Sequence, residues 1–248
     1  MFQSVDSEKC RLYAKLPTFQ KKLSRTQERV REMLEICSTP YVAFSCGKDS
    51  TVVADMVLRI RHDVPLRFVS SGETRIIHNV DDIMEWFRNI HDAKIEEINF
   101  DRVFSEEWSN ASFDEQRKAG RRDIQTIDNT AYTGVFMGLR KQESRGRQIS
   151  LNSCKTDGLP MYMYQYKNRD YFRMCPIADW TTDDVGAYIT MYKIPVLQWY
   201  QAFGFDSRTT ARLTGDAVRQ NTLLWIKTTN PEGYAKLLER FPEFGALT

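Results

Sequence analysis

Apolar positions along this chain fall into short dense blocks separated by helical stripes. Tyr41 to Phe44 is compact, β-prone and mostly apolar, the pattern of a central parallel strand, and Val52, Val53, Met56, Val57 and Ile60 recur behind it at helical spacing. Pro65 to Ser70 reads as a second strand ending in Ser70-Ser71-Gly72. The next helix carries Ile83, Trp86, Phe87 and Ile90, and a third strand falls near Ile95 to Phe100. A β-α-β-α-β series of these lengths predicts an α/β fold with a doubly wound, mostly parallel sheet and right-handed crossovers. The ligand site of such a sheet lies beyond the carboxyl ends of its strands.

The flanking segments extend this pattern. Ser24-Arg25-Thr26-Gln27 has the form of a capping box, and Val30, Met33, Leu34 and Cys37 then share one helical face, which places Cys37 in the core. Gly134 to Leu139 is a glycine-bounded apolar strand. Met161–Tyr164 and Tyr171–Met174 flank a polar turn, Tyr166 to Asp170, and predict a hairpin whose Met and Tyr side chains pack on the sheet or line a groove. Thr181 caps a helix with Asp184 as its capping-box partner, and Val185, Tyr188, Ile189 and Tyr192 form the apolar side. Pro231-Glu232 opens a closing helix with Tyr234, Leu237, Leu238 and Phe241 on one face. The polar span Asp101 to Thr130, with Arg117, Lys118, Arg121 and Arg122, reads as a solvated face ahead of a nucleic-acid patch. The expected organisation is a helical segment over 1–40, the α/β domain over 41–205 and a basic helical C-terminal extension over 206–248.

Composition adds bounds. In 248 residues, 42% of them hydrophobic, 14 Phe, 11 Tyr and 5 Trp suffice for a core. A net charge of +2 is too mild to demand a nucleic-acid partner. The five cysteines are scattered with no C-x-x-C pair, so neither a disulfide scaffold, zinc nor an iron-sulfur cluster is expected. No run approaches the ~20 apolar residues that span a bilayer, and the polar N-terminus lacks a leader's apolar core, so a cytoplasmic protein is expected. No H-E-x-x-H or G-x-S-x-G motif occurs.

The chemistry concentrates at Ser45-Cys46-Gly47-Lys48-Asp49-Ser50, between the first strand and its helix. A helix N-terminus points amides at an anion. Gly47 is suited to close approach or positive φ, Lys48 supplies a mobile charge, and the Ser45 and Ser50 hydroxyls can reach phosphate oxygens. The G-x-x-x-x-G-K-[ST] loop is excluded, because Val42 stands at its first glycine and Asp49 follows the lysine. Past the Gly134 strand, Gly138, Arg140, Glu143, Arg145 and Arg147 gather cations and a carboxylate at the same sheet edge. Cys46, Cys154 and Cys175 are the chemically open thiols, with a small residue in a turn or buried packing as the favoured role of each.

The hexapeptide resembles the PP-loop, S-G-G-K-D-S, of the ATP pyrophosphatase superfamily, with Cys46 for the first glycine. Gly138-Leu139-Arg140-Lys141-Gln142-Glu143-Ser144-Arg145-Gly146-Arg147 is similar to the G-x-R-x-x-E-S-x-x-R segment of the phosphoadenosine phosphosulfate (PAPS) reductase family. Pro176-Ile177-Ala178-Asp179-Trp180-Thr181-Thr182-Asp183-Asp184-Val185 looks like its P-[IL]-x-[DN]-W-[ST]-x-x-D-V element. The resemblance implies an adenine nucleotide alpha hydrolase-like fold. It also implies a nucleotide site built from Ala43, Phe44, Ser45, Cys46, Gly47, Lys48, Asp49, Ser50, Ser71, Gly72 and Gly138. Lys48, Asp49, Arg140, Glu143 and Arg147 would be catalytic, and Asp49 and Glu143 would position Mg2+ with the triphosphate of ATP.

Reductases of that family resemble one another in a loop lacking Gly-Lys-Asp-Ser and in a C-terminal E-C-G-L-H. This chain keeps Lys48 and Asp49 and has no cysteine after Cys175, so ATP is the better nucleotide. Phe203-Gly204-Phe205-Asp206-Ser207 resembles a G-F-x-S segment, followed here by Arg208, Arg212 and Arg219 where many relatives carry cysteines. With Arg145 these are candidate contacts to phosphate or nucleic acid. The resemblance thus implies an ATP pyrophosphatase adenylating an acceptor oxygen, with DNA or RNA as the acceptor activated for sulfur insertion, as in DNA phosphorothioation. A cysteine desulfurase or other modification-system proteins would be partners, and a homodimer is compatible. An ATP sulfurylase subunit, an atypical PAPS reductase and a non-catalytic nucleotide-binding adaptor are the alternatives.

Overall fold

The computed structural model describes residues 4–70, 73–100, 126–153, 155–167, 170–207 and 216–248. Its strands are β1 (Pro40–Phe44), β2 (Leu66–Ser70), β3 (Ile95–Asn99), β4 (Gly134–Phe136), β5 (Met163–Gln165) and β6 (Phe172–Met174). They form one sheet in the order β3-β2-β1-β4-β6-β5. β1 runs parallel to β2 and β4, β4 runs parallel to β6, and β5 closes the edge antiparallel to β6. The expected mostly parallel α/β sheet is therefore present. Chain order runs outward from β1 to β2 and β3 on one side and restarts with β4 on the other. The carboxyl ends of β1 and β4 thus flank a topological switch point, where open α/β sheets bind their ligands.

The compact unit built on this sheet comprises Met1–Phe68, Asp82–Glu96 and Asn129–Arg208. Its helices are α1 (Ser4–Tyr13), α2 (Pro17–Ile36), α3 (Lys48–Leu58), most of α5 (Val80–His91), α6 (Arg145–Ser153), α7 (Thr182–Tyr192) and α8 (Gln198–Phe203). Val42 and Phe44 of β1 are buried, and Phe44 meets Phe87 of α5 edge-on at 5.0 Å. α3 is buried from Ser50 to Leu58 between the sheet and α7, and so lacks the polar face of a surface helix.

α2 corrects the sequence reading. Ser24–Gln27 lies inside this helix, which starts at Pro17 and buries Phe19 and Leu23 on the same stripe as Val30 and Met33. Proline in the first turn is the start signal here, and the supposed cap, Thr26, turns its hydroxyl back to the Lys22 carbonyl. That hydroxyl also accepts the indole N–H of Trp180 at 2.9 Å, fixing a fully buried ring through its one polar atom. Cys37 is buried as expected, and burial pushes its thiol pKa up.

Asp55, on α3, is fully buried within a polar cluster. It accepts from Arg59 Nε at 2.7 Å and from Tyr188 Oη at 2.8 Å, with His91 Nε2 at 2.8 Å. Burial alone raises a carboxyl pKa, but the hydrogen bonds from His91, Arg59 and Tyr188 outweigh it and hold Asp55 below its ordinary value.

A second unit comprises Val69–Asp81, Glu97–Asp128 and Thr209–Thr248. Its described helices include α4 (Glu73–Ile77), α9 (Asp216–Thr229) and α10 (Pro231–Arg240), which bury Ile77, Leu223, Ile226, Leu237 and Phe241 in a small core. α10 begins at Pro231 as predicted, with Asn230 capping it through the Gly233 N–H. No described helix is long and apolar enough to cross a membrane.

Candidate active site

The Ser45–Ser50 loop leaves the end of β1 and enters α3 at Lys48. Gly47 is the residue before the helix, with extended φ and no side-chain cap. The helix opening therefore presents its first-turn amides without a competing side-chain acceptor. The left-handed residue of the loop is Cys46, at φ 57°, and not Gly47, at φ −72°. A glycine at Cys46 would adopt that conformation without strain, which gives a physical reason for the S-G-G form of the related loop. The thiol is buried.

The two serines brace the loop. Their hydroxyls lie 3.0 Å apart, Ser50 Oγ donates to the Gly47 carbonyl at 2.9 Å, and the Ser45 N–H donates to Ser50 Oγ. Thr51 adds a 2.6 Å bond to the same carbonyl. Ser45 itself is exposed, whereas Ala43 is half-buried and the Phe44 ring belongs to the core. Phe44 therefore borders the loop through its backbone.

Charge concentrates on Asp49. Its Oδ1 accepts from Arg140 Nε at 2.6 Å, and its Oδ2 lies 3.3 Å from Lys48 Nζ. Lys48 and Arg140 are both nearly buried, so two cations share one carboxylate at a helix N-terminus, and the local excess of positive charge suits an anion. Arg140 comes from the β4 exit. Its Nη1 donates to Gln142 Oε1 at 3.1 Å, while Gln142 Oε1 also accepts the Thr182 N–H at 2.7 Å. The β4 exit approaches closely because of Gly138, where a Cβ would sit 2.6 Å from the Asp49 carbonyl carbon and 2.7 Å from Ser50 N. Gly138, expected among the nucleotide contacts, has this packing role.

Glu143 accepts the Arg140 N–H through Oε2 at 3.1 Å and faces Arg147 Nε at 3.7 Å. Arg145 and Arg147 are exposed on α6, next to the loop-side turn and not in it. Asp49 and Glu143 are thus engaged with basic groups. In this arrangement they do not fit a protein-held Mg2+. Among the described residues no three His, Cys, Asp or Glu side chains cluster as a metal site. Ser71, Gly72, Cys154, Arg208 and Arg212 lie outside the described residues, and Arg219 is described only as backbone of α9.

The Thr181 capping box is present: the Thr181 Oγ1 accepts the Asp184 N–H, and Asp184 Oδ2 accepts the Thr181 N–H at 2.7 Å. Asp184 is fully buried, with Lys22 Nζ at 2.7 Å and Tyr13 Oη at 3.1 Å, so it ties α1 and α2 to α7. Cys175 packs with Leu151 and Ala178.

Sequence reading missed Tyr200. From α8 its ring lies 4.8 Å beneath Lys48 Nζ, a cation–π contact, and its hydroxyl is 3.6 Å from the position of a Gly47 Cβ. Nothing local in Gln198–Phe203 marks it, since an aromatic in a short amphipathic helix ordinarily serves the core. Gln142 was also passed over between two motif positions.

The profile of the phosphoadenosine phosphosulfate reductase domain matches residues 39–207. The phosphoadenosine 5'-phosphosulfate reductase of Alkalilimnicola ehrlichii is 24% identical over 209 residues, covering 79% of this chain and 80% of that relative. Among solved structures, the PAPS reductase from Candida auris in a phosphate complex aligns with TM-score 0.45 and 17% identity, over 72% of this chain and 84% of that one. The U34-tRNA thiolase NcsA from Methanococcus maripaludis, solved with its 4Fe-4S cluster, aligns with TM-score 0.50 and 13% identity, over 92% of this chain and 79% of that one. This last likeness shows a shared fold.

Proposed function

Because the chain belongs to the phosphoadenosine phosphosulfate reductase domain family, we propose that it is a nucleotide-handling enzyme of that family whose loop takes ATP and releases pyrophosphate. The observation that carries this reading is the Lys48–Asp49–Arg140 arrangement at the α3 N-terminus, in which two nearly buried cations share one carboxylate. Lys48 and the first-turn amides of α3 would hold the β and γ phosphates. Arg140 would offset charge developing at the α phosphate. An acceptor oxygen forms a bond to the α phosphorus as the bond to the bridging oxygen breaks, and pyrophosphate leaves with the electron pair. Glu143 positions Arg140 by accepting its backbone N–H.

The acceptor in this reading is the backbone of DNA or RNA, adenylated so that sulfur from a separate cysteine desulfurase can replace the activated oxygen, as in DNA phosphorothioation. Two features support it: the loop keeps Lys48 and Asp49, and a tRNA thiolase shares the fold. Arg145, Arg208, Arg212 and Arg219 would be the candidate cations for such a polyanion. The curated relative's name favours a second reading, sulfur assimilation with PAPS or sulfate as substrate.

Incubating the protein with α-labelled ATP and Mg2+, with and without DNA, RNA or sulfate, should yield AMP and pyrophosphate in a nucleic-acid-dependent manner, and Lys48→Ala should slow the reaction about a hundredfold. Turnover of PAPS with a thiol donor and none of ATP would select the second reading. An equally active Lys48→Ala variant would refute the loop's role.

A further inference from the structure

The β5–β6 hairpin closes one edge of the sheet, and an open groove of about 560 Å3 at its tip is lined by Lys155, Tyr164, Gln165, Tyr166, Lys167 and Asp170. Gln165 pairs with Phe172, and Phe172 with Gly134, so this tip lies beside the strand starts, at the edge opposite the Ser45 loop. Tyr164 and Tyr166 are two apart on an extended strand and therefore share a face. Met163, on the other face, is buried, whereas both tyrosines are half-exposed. Their ring centroids are 5.3 Å apart, and Tyr166 stands 5.9 Å from Tyr171. Arg173, opposite Tyr164 on β6, places its guanidinium 5.5 Å from that ring. Lys155 and Lys167 are exposed. The carboxylate of Asp170 accepts from Gln165 Nε2 at 3.3 Å, and the cations among the groove's described lining residues are Lys155 and Lys167.

Aromatic faces alternating with cations are the means by which proteins hold single-stranded nucleic acid without reading its sequence: bases stack on the rings while lysines follow the phosphates. We infer that the hairpin-tip groove binds a single strand of DNA or RNA, with bases on Tyr164 and Tyr166 and backbone phosphates on Lys155 and Lys167. Two rings and two ammonium groups address successive nucleotides, which a strand supplies and a free mononucleotide does not. An acidic peptide would match the lysines and leave the rings without stacking partners. The assignment deepens the proposed nucleic-acid activation and rests on it for the strand's status as substrate. Being at the opposite edge from Arg140, the groove holds the strand while another segment of it reacts.

The test is fluorescence anisotropy of a labelled oligothymidylate or oligouridylate with the full chain and no ATP. Tyr166→Ala should weaken binding about tenfold or more and Tyr166→Phe should leave it nearly unchanged. Lys155→Ala with Lys167→Ala should lower the slope of log affinity against log salt by about 1.4, since each phosphate neutralised on a single strand accounts for ~0.7 of that slope. These lysines are exposed, so the pair keeps the test valid should a tyrosine variant unfold, which circular dichroism monitors. Equal affinity for duplex of the same composition, equal competition by polyglutamate, no binding by the parent, or unaltered binding by both variants would each overturn the groove. ATP cleavage without oligonucleotide binding refutes the groove alone; binding without ATP cleavage under any condition refutes the pyrophosphatase reading alone.

Discussion

Replacing Gly138 with alanine would put a methyl group 2.6 Å from the Asp49 carbonyl carbon and 2.7 Å from both the Asp49 oxygen and the Ser50 nitrogen. All three are backbone atoms in the first turn of α3, so no side-chain rotation relieves the overlap. Ordinary contact begins near 3.4 Å, and either the β4 exit or the Ser45–Ser50 loop must therefore retreat by about 0.8 Å. Overpacking of this kind costs roughly 1–3 kcal/mol. At roughly 2–4 °C per kcal/mol for a chain of this size, the melting temperature should fall by roughly 2–12 °C. Activity should fall further than stability, because a displacement near 1 Å in a positioning element costs on the order of a hundredfold in rate. Differential scanning calorimetry and initial rates of pyrophosphate release measure the two effects. Gly146→Ala is the control: its new methyl group meets only Ser144 Oγ, at 3.9 Å, and a helical glycine replaced by alanine gains about 0.5–1 kcal/mol. A Gly138→Ala protein as stable and active as the parent would refute the close-approach argument.

Arg140→Ala strands Asp49 beside Lys48 alone and should cost about 3–5 kcal/mol in urea denaturation; Arg140→Lys should recover little, because the fork also serves Gln142, and full recovery would count against that geometry. Thr181→Ala removes the α7 cap and should lower stability by about 1 kcal/mol, checked by the same denaturation series. The Asp55 carboxyl is held below its unfolded value of 3.8, so its network contributes stability above that pH and loses it as pH falls through the folded value. Asp55→Asn should flatten this acid limb in stability measured across pH, and an unchanged slope would discount the cluster. Cys46→Gly should be near neutral and Cys46→Val should cost roughly 1–3 kcal/mol, because a β-branched residue is strained at φ 57°; thermal melts that rank the two alike would contradict this.

The sheet was legible because a parallel strand buried on both faces must be apolar and a crossover helix must be striped, and Tyr41–Phe44 and Val52–Ile60 satisfy both rules locally. The Thr181 box and Pro231 were legible for the same reason, each being a signal complete within four residues. Ser24–Gln27 misled because an interior Thr that bonds back to its own helix uses the same residue types as a cap, and only Phe19 and Leu23 upstream reveal the longer helix. Within the loop, sequence could name the residues but not divide the labour, and the left-handed position went to Cys46. Tyr200 and the Asp55 cluster were out of reach because their partners are distant in sequence: Tyr200 meets Lys48, and Tyr188 meets Asp55, only once the helices pack.

The placement of Asp49 between Lys48 and Arg140 makes it an internal stand-in for the phosphate the loop would receive. A loop whose two cations are already held by one carboxylate is shaped before its ligand arrives, so little ordering entropy opposes binding. An incoming anion must instead compete with a tethered carboxylate, and the outcome depends on how much charge it brings. On the proposed reading a triphosphate would displace Asp49 more readily than a monophosphate, and the same side chain would return to the cations as pyrophosphate leaves. Inhibition by AMP far weaker than by a non-cleavable ATP analogue, with the gap narrowing in Asp49→Asn, is the signature of that exchange; equal gaps in both proteins would deny it.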